Sequence, residues 1–542
     1  MSAALSAALS VPLDQFDTII VGAGSAGCVL ANRLSADPDI KVCLVEAGGS
    51  DNYIWIHIPV GYFYTFDNPR TDWRFRTEPD AGLNGRSIKY PRGRVMGGTS
   101  SINGMVYIRG QSRDYDGWRQ QGCVGWAWDD VLPYFKKSED HARGADEAHG
   151  VGGELRIEDL RASWEVLDAF CDAAVECGIK KTNDFNRGDN EGVGYFQVTQ
   201  RNGRRVSTAR AFLKPVRKRP NLHILSNAHA TKILFEGKRA VGLEYMRGGV
   251  SGTVRATREV IVAAGSIGSP QLLMLSGIGD SAQLSSHGIG TLLHQPSVGA
   301  NLQDHLAIRT MYHVQNTVTL NEQVNSRLGR IRMALQYALS RRGPLTIPPA
   351  LVNAFVKSDP SRETPDLQFV LYPLTYDTTG DPPHKEAGFT AGVCLLHPES
   401  RGSITLRSAD PMAPPKIMLN FLSSQNDRNT AVAGVKAIRR VCRANAMKRF
   451  DPVEFSPGPS LSTDDEILAG IGRIGATIFH PVGTCRMGAE PDAVVDPRLR
   501  VNGIEGLRVI DASVMPTIIS GNTNAAAIMI AEKGADMIRQ DW

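Results

Sequence analysis

Asp17-Thr-Ile-Ile-Val21 runs directly into Gly22-Ala-Gly-Ser-Ala-Gly27, and no other feature constrains the fold of this 542-residue chain as tightly. The apolar, β-branched run reads as a buried strand. Cys28, Val29, Leu30, Ala31 and Leu34 then give a helix with an apolar face. Asp37-Pro38-Asp39 ends the helix, and Lys41-Val-Cys-Leu-Val-Glu46 is a second strand. A strand, helix and strand within about thirty residues predict a parallel pair joined by a crossover. In Gly-x-Gly-x-x-Gly the first glycine (Gly22) permits the tight turn. The second (Gly24) lets a pyrophosphate approach the backbone, and the third (Gly27) lets helix and strand pack closely. The helix N-terminus adds free N–H groups and a partial positive charge. Glu46 ends the second strand nineteen residues beyond Gly27. There it can accept hydrogen bonds from ribose hydroxyls and repel a 2′-phosphate, which disfavours NADP. This unit predicts a dinucleotide and leaves NAD and FAD both open.

At this length two or more structural units are expected. A 42% hydrophobic and 21% charged composition is that of a globular protein. Net charge is only +4, and the Lys214 to Arg219 cluster reads as a solvated helix end or loop, so no nucleic-acid partner is expected. The eight cysteines form no Cys-x-x-Cys and the twelve histidines no His-Glu-x-x-His. No disulfide framework and no metal are expected. Met1 to Pro12 lacks a basic, then apolar, leader pattern, and no apolar run is long enough to span a bilayer. The expected location is cytoplasmic, with peripheral attachment at the inner face of the membrane left open.

Glu259-Val-Ile-Val-Ala-Ala264 reads as a further strand leading into an apolar helix around Gln271 to Leu275. Leu507-Arg-Val-Ile-Asp511 is another strand, and Asn524 to Ile538 suits a buried helix. His141 to Glu154 and Asp377 to Glu386 read as surface loops. Asp366 to Tyr372 is strand-like and lies in a stretch of different character, about 311–464.

Two long motifs decide between the dinucleotides. They are Gly93-Arg-Val-Met-Gly-Gly-Thr-Ser-Ser-Ile-Asn103 and Gly265-Ser-Ile-Gly-Ser-Pro-Gln-Leu-Leu-Met-Leu-Ser-Gly-Ile-Gly279. With His480-Pro-Val-Gly-Thr-Cys-Arg-Met-Gly488 and Asn522-Thr-Asn524, they make the chain resemble the glucose-methanol-choline (GMC) flavin oxidoreductases from about residue 15 to residue 540. The resemblance implies an α/β fold, α+β overall. A Rossmann-like FAD-binding domain would span 14–155, 196–310 and 465–542. A substrate-binding domain on an antiparallel sheet with helices would be inserted at 156–195 and 311–464.

The same resemblance implies the cofactor residues. Gly22, Gly24, Ser25, Ala26, Gly27, Glu46 and Ala47 would hold the ADP half, with Ala230 against the adenine. Arg94, Val95, Gly98 and Ser101 belong to the first motif. Asn103, Gly104, Met105 and Val106 would pass under the flavin ring. Phe479, Asp511, Ala512, Asn522 and Thr523 would complete the site. A helix starting near Asn524 would point its positive end at the flavin pyrimidine. Relatives with covalent FAD carry a histidine where this chain has Ile102, so non-covalent FAD is expected.

Alcohol oxidation needs a base near neutral pKa and a group to hold the oxygen. The resemblance makes His480 the base and Asn522 its polar partner. Asn522 can also serve as a helix N-cap. Structural roles are expected for His57, His229, His397 and His305. A hydroxynitrile lyase and an inert flavin protein are the alternatives. No Gly-x-Ser-x-Gly or P-loop motif supports a hydrolase or NTPase. The chain looks most like bacterial alcohol and choline dehydrogenases. Leu351 aligns with the glutamate of choline-handling relatives, beside apolar Ile347, Pro348, Pro349 and Ala350. An uncharged, largely hydrophobic alcohol is therefore expected, with a quinone-type acceptor and oxygen as the alternative acceptor.

Overall fold

The computed structural model describes residues 15–378 and 380–542. The expectation of no leader at Met1 to Pro12 lies outside the described residues. The two apolar runs form the strands Gln15–Val21 and Val42–Glu46, paired in parallel, with helix Ser25–Leu34 crossing between them. Leu222–Ser226 extends the sheet beyond Val42–Glu46, and Val250–Val262 lies on the other side of Gln15–Val21. Val42–Glu46 is buried along its whole length. That is the condition of a parallel strand covered on both faces, and it explains the unbroken apolar run.

Val250–Val262 belongs to two arrangements. Its C-terminal part pairs in parallel with Gln15–Val21 and with Leu507–Val509. Its N-terminal part enters an antiparallel meander with Arg239–Arg247 and Ala228–Glu236. The chain thus leaves the C-terminal ends of the parallel strands at residues 22–24, 47, 263–264 and 510–511, along one edge of the sheet. Open parallel sheets place ligands at that edge.

A second sheet has the order Val453–Ser456, Leu306–His313, Gly388–Leu395, Leu367–Tyr372, Val352–Val356, Gly192–Tyr195, with Gly475–Thr477 also pairing to Leu306–His313. All of its pairings are antiparallel. Helix Gln425–Cys442 covers one face. Gly434 permits that approach, since a Cβ there would stand 2.5 Å from Val393 Cγ1. The alternate residues Gln368, Val370, Tyr372, Gly392 and Cys394 turn the other way, onto the main cavity. The segment boundary expected at 310/311 falls inside the strand Leu306–His313, and Gly475–Thr477 joins this sheet from segment 465–542.

The stretch 141–154 differs from the surface loop expected of it. Residues 142–147 are exposed, but Ala148, His149 and Gly150 are buried. His149 lies between Glu139 at 3.1 Å and Asp184 at 2.9 Å, and Arg109 donates to the same Glu139. Burial opposes charge on the ring, yet Asp184 and Glu139 outweigh it and hold the His149 pKa up at about 9. Glu139, His141 and His149 bring ligand-type atoms within 4.8 Å of one another. Arg109 and His149 already engage Glu139, and the other His149 nitrogen meets Asp184, so these groups satisfy one another as a charge network.

Candidate active site

A cavity of about 560 Å³ lies between the strand-end edge of the first sheet and the inner face of the second. Three helices present their N-termini to it: Ser25–Leu34, Gly265–Leu275 and Asn524–Asp541. None has a side-chain cap. Apart from the Gly265 N–H, which Asp511 accepts, their first-turn N–H groups and positive ends are left to serve a ligand. Ser25 Oγ donates to Asn524 Oδ1 at 2.7 Å and ties two of these N-termini together.

The glycines of the first turn do different work. Gly22 has φ +100°, and a Cβ there would stand 2.6 Å from the Ala263 carbonyl oxygen. A Cβ on Gly27 would stand 1.8 Å from the Gly22 carbonyl oxygen, so helix and turn can approach this closely only as glycine. Gly24 is the opposite case. A Cβ there meets nothing within 4 Å, because the cavity lies in front of it. Gly98 packs behind, where a Cβ would be 2.7 Å from Gly24 Cα.

Gly22, Gly24, Ser25, Ala26, Glu46, Ala47, Arg94, Gly98, Asn103 to Val106, Ala230, Phe479, Asp511, Ala512, Asn522 and Thr523 all line the cavity. Gly27, Val95 and Ser101 shape it from behind: Val95 is fully buried, and Ser101 Oγ donates to the Met96 carbonyl. Glu46 accepts the Ala23 N–H at 2.8 Å and the Gly48 N–H at 2.7 Å, one on each carboxylate oxygen. Burial pushes its pKa up to about 7, against those donors and the Arg94 charge. Arg94 lies over the Trp73 ring at 5.0 Å, and its buried Nε has no partner. Asp511 accepts from the Gly265 N–H, Ser269 Oγ and the Ser513 N–H, and so joins strand Leu507–Val509 to the start of helix Gly265–Leu275. Asn103 Oδ1 accepts from the Met105 N–H and from the buried Arg205. Met105 (φ +59°) and Phe479 (φ +69°) hold left-handed backbone that side chains rarely adopt. Such strain persists where surrounding structure imposes it, often at functional sites.

His480 sits under a clamp built by Asp304. One Asp304 oxygen accepts the backbone N–H groups of His305 and His480, both at 2.8 Å. The other accepts the Tyr90 and Thr477 hydroxyls. The two rings meet with Nδ1 to Nδ1 at 2.9 Å. His305 Nε2 lies 3.2 Å from the Leu396 carbonyl oxygen, and His480 Nε2 lies 3.1 Å from Asn522 Nδ2. Burial holds the His480 pKa well below 6.5, with the Arg92 charge pushing the same way. Burial likewise pushes His305 down to about 3. The sequence motifs pair His480 with Asn522 and carry no sign of the Asp304 clamp or the His305 contact. Asn301-Leu-Gln-Asp-His305 held both, but 175 residues separate the histidines and only the fold brings them together.

The wall contributed by the second sheet departs from the apolar one expected. Leu351 is fully buried and does not line the cavity, although Pro349 and Ala350 do. Asn353, Gln368, Arg309 and Tyr372 do line it. Neither Asn353 amide atom has a partner, nor does Gln368 Oε1, and both residues are buried. Strand alternation selects these residues, and the register that does so was not legible in the sequence.

The GMC oxidoreductase family model matches residues 16–307 and, for its C-terminal part, 398–531. The chain belongs to the GMC oxidoreductase family. It is 45% identical to an alcohol dehydrogenase [acceptor] of Pseudomonas putida, over 96% of this chain and 95% of that one. It is 41% identical to an oxygen-dependent choline dehydrogenase of Brucella ovis, again over 96% and 95%. The fold resembles pyridoxine 4-oxidase from Mesorbium loti at TM-score 0.88 and 32% identity, covering 97% of this chain and 99% of that one. An FAD-dependent oxidoreductase from Chaetomium thermophilum aligns at TM-score 0.89 and 28% identity, over 97% and 99%. The protein is thus an FAD-dependent oxidoreductase of a family that acts on CH–OH donors. The residues present fit that cofactor: three uncapped helix N-termini, open space before Gly24, and unpartnered atoms on Arg94 and Asn522 all face one cavity.

Proposed function

We propose that this enzyme oxidises a small alcohol to an aldehyde or ketone, with His480 as the base and Asn522 holding the reacting oxygen. The direction of hydrogen bonding through the two histidines carries the reading. The Leu396 carbonyl can only accept, so the proton on His305 sits on Nε2. His305 Nδ1 is then a lone pair, and His480 must donate to it from its own Nδ1. That leaves the lone pair of His480 on Nε2, beside the Asn522 amide N–H that donates to it. This arrangement has both rings neutral, the state that their burial favours.

A substrate hydroxyl placed between His480 Nε2 and Asn522 Nδ2 would give its proton to the first and accept a hydrogen bond from the second. Bound FAD supplies the hydride acceptor for the carbon-bound hydrogen. Asn522 then stabilises negative charge developing on the oxygen, where a fixed amide costs no reorganisation. The Asp304 clamp fixes the backbone at both histidines, and the ring contacts to Leu396, to Asn522 and between the two Nδ1 atoms orient the imidazoles. Likeness to an alcohol dehydrogenase [acceptor] supports electron transfer to a separate acceptor, which we take to be of quinone type. Ile102 lines the cavity where covalent relatives carry a histidine, which supports non-covalent FAD. Acid precipitation should leave the yellow colour in the supernatant, and colour in the pellet would refute this point.

The polar wall defines the substrate further. Asn353 and Gln368 offer a donor and two acceptors that need partners, and Arg309 keeps its charge. Among the described lining residues only Glu46 and Asp511 are carboxylates, and both lie at the first sheet. A quaternary ammonium would face the Arg309 charge without an offsetting anion. The expected substrate is an alcohol bearing a second, hydrogen-bonding group. Anaerobic flavin bleaching should be faster with diols or hydroxy-amides than with simple alcohols of equal length. It should be slowest with choline, and choline as the fastest donor would overturn the assignment.

A further inference from the structure

Helix Arg327–Ser340 carries an exposed apolar stripe. Leu328 is 79% exposed, Ile331 56%, Leu335 56% and Leu339 86%. At about 100° per residue these four positions fall within roughly 80° of arc. Met333 and Tyr337 lie on the opposite side and are buried against the protein. Large apolar residues exposed singly need no explanation, but four in one line do. The charge on the helix itself is of one sign. Segment 327–342 contains Arg327, Arg330, Arg332, Arg341 and Arg342 and no acidic residue. The Tyr337 hydroxyl donates to the Gly203 carbonyl, which brings the neighbouring hairpin alongside, with exposed Arg204 and with Arg201, which pairs with Asp140 at 3.1 Å.

We infer that this helix docks the enzyme on an anionic lipid surface. An apolar stripe flanked by arginines is the pattern of a helix lying in a membrane interface. The apolar side chains enter the acyl boundary, and the guanidinium groups stay among the headgroups. The charge selects lipid over a second copy of the chain. A two-fold pairing of this face would bring like arginine clusters together, whereas anionic headgroups attract them. The attachment is peripheral: no described helix is long and apolar enough to cross a membrane. It also lies near the site. The turn Pro344–Thr346 packs on this helix, and Pro349 and Ala350, shortly after it, line the cavity.

Co-sedimentation of the FAD-loaded, full-length enzyme with vesicles tests this directly. Binding is expected to vesicles of phosphatidylglycerol and phosphatidylcholine, to fall with rising salt, and to be weak with phosphatidylcholine alone. Leu335→Gln/Leu339→Gln should weaken partitioning by about tenfold or more, and Arg330→Gln/Arg332→Gln/Arg342→Gln should remove its dependence on anionic lipid. Both variants should keep wild-type turnover with a soluble dye acceptor, since none of these residues lines the cavity. Equal binding by the variants, or no binding by the wild type, would overturn the inference. So would a dimer in solution that the Leu335→Gln/Leu339→Gln change dissolves, which would make the face a contact between copies.

Discussion

Replacing His480 with alanine is expected to leave FAD bound while slowing flavin reduction by substrate about 10²–10⁴-fold, the usual cost of losing a positioned base. The ring is buried and contacts His305 and Asn522, so alanine removes the proton acceptor without exposing an apolar core. Stopped-flow bleaching under nitrogen reads the effect, and reduction at the wild-type rate would reject the assignment. His305 is a positioning residue by the same logic. His305→Ala should cost less, because the proton acceptor itself remains in place. Its distinctive readout is the pH profile. Burial, with the Arg92 charge pushing the same way, holds the His480 pKa well below 6.5, so the neutral base persists on the acid side of that value. The wild-type rate should therefore stay flat as pH falls to about 6.5, the ordinary imidazole value. His305 is neutral and accepts from His480 Nδ1, a bond that favours the imidazolium, so its loss should move the acid limb further down. A purely structural role would slow the variant without moving the limb.

The parts legible in the sequence are those carried by short-range pattern. Gly22 to Gly27 and the flanking apolar runs define the strand, crossover and turn within thirty-odd residues, and the parallel pairing follows from local chemistry. Glycine spacing in the Gly93 and Gly265 motifs survived for the same reason, because close backbone approach demands a residue without a side chain. What escaped depends on register between distant strands. Asn353 and Leu351 are two residues apart, so strand alternation alone would set them on the same face, yet only Asn353 reaches the cavity. Leu351 precedes the strand Val352–Val356 and does not share its alternation. His149 escaped because a single anchor in a glycine- and charge-rich loop leaves no periodic trace. Asp304 escaped because its work is done on backbone N–H groups, which any sequence possesses.

Gly24 and Gly27 stand three residues apart in one motif, and their alanine variants are expected to fail in different ways. At Gly27 the added Cβ would sit 1.8 Å from the Gly22 carbonyl oxygen, which is backbone and cannot swing aside. Helix and strand must separate, so Gly27→Ala should lose about 3 kcal/mol of stability, at the upper end of ordinary overpacking. At Gly24 the Cβ meets nothing within 4 Å of protein, and the backbone at φ −80° and ψ −159° suits alanine. Gly24→Ala should therefore fold with wild-type thermal stability as apoprotein. The methyl would project into the cavity, in the path of a pyrophosphate drawn to the helix N-terminus. Losing the equivalent of one or two charge-assisted hydrogen bonds, about 3 kcal/mol, would weaken FAD binding roughly 100-fold. Apoprotein melting and fluorescence titration with FAD separate the two outcomes. Unchanged FAD affinity in Gly24→Ala would mean that the cofactor does not press against this turn. A destabilised Gly24→Ala apoprotein would mean that the space in front of Gly24 is not open as described.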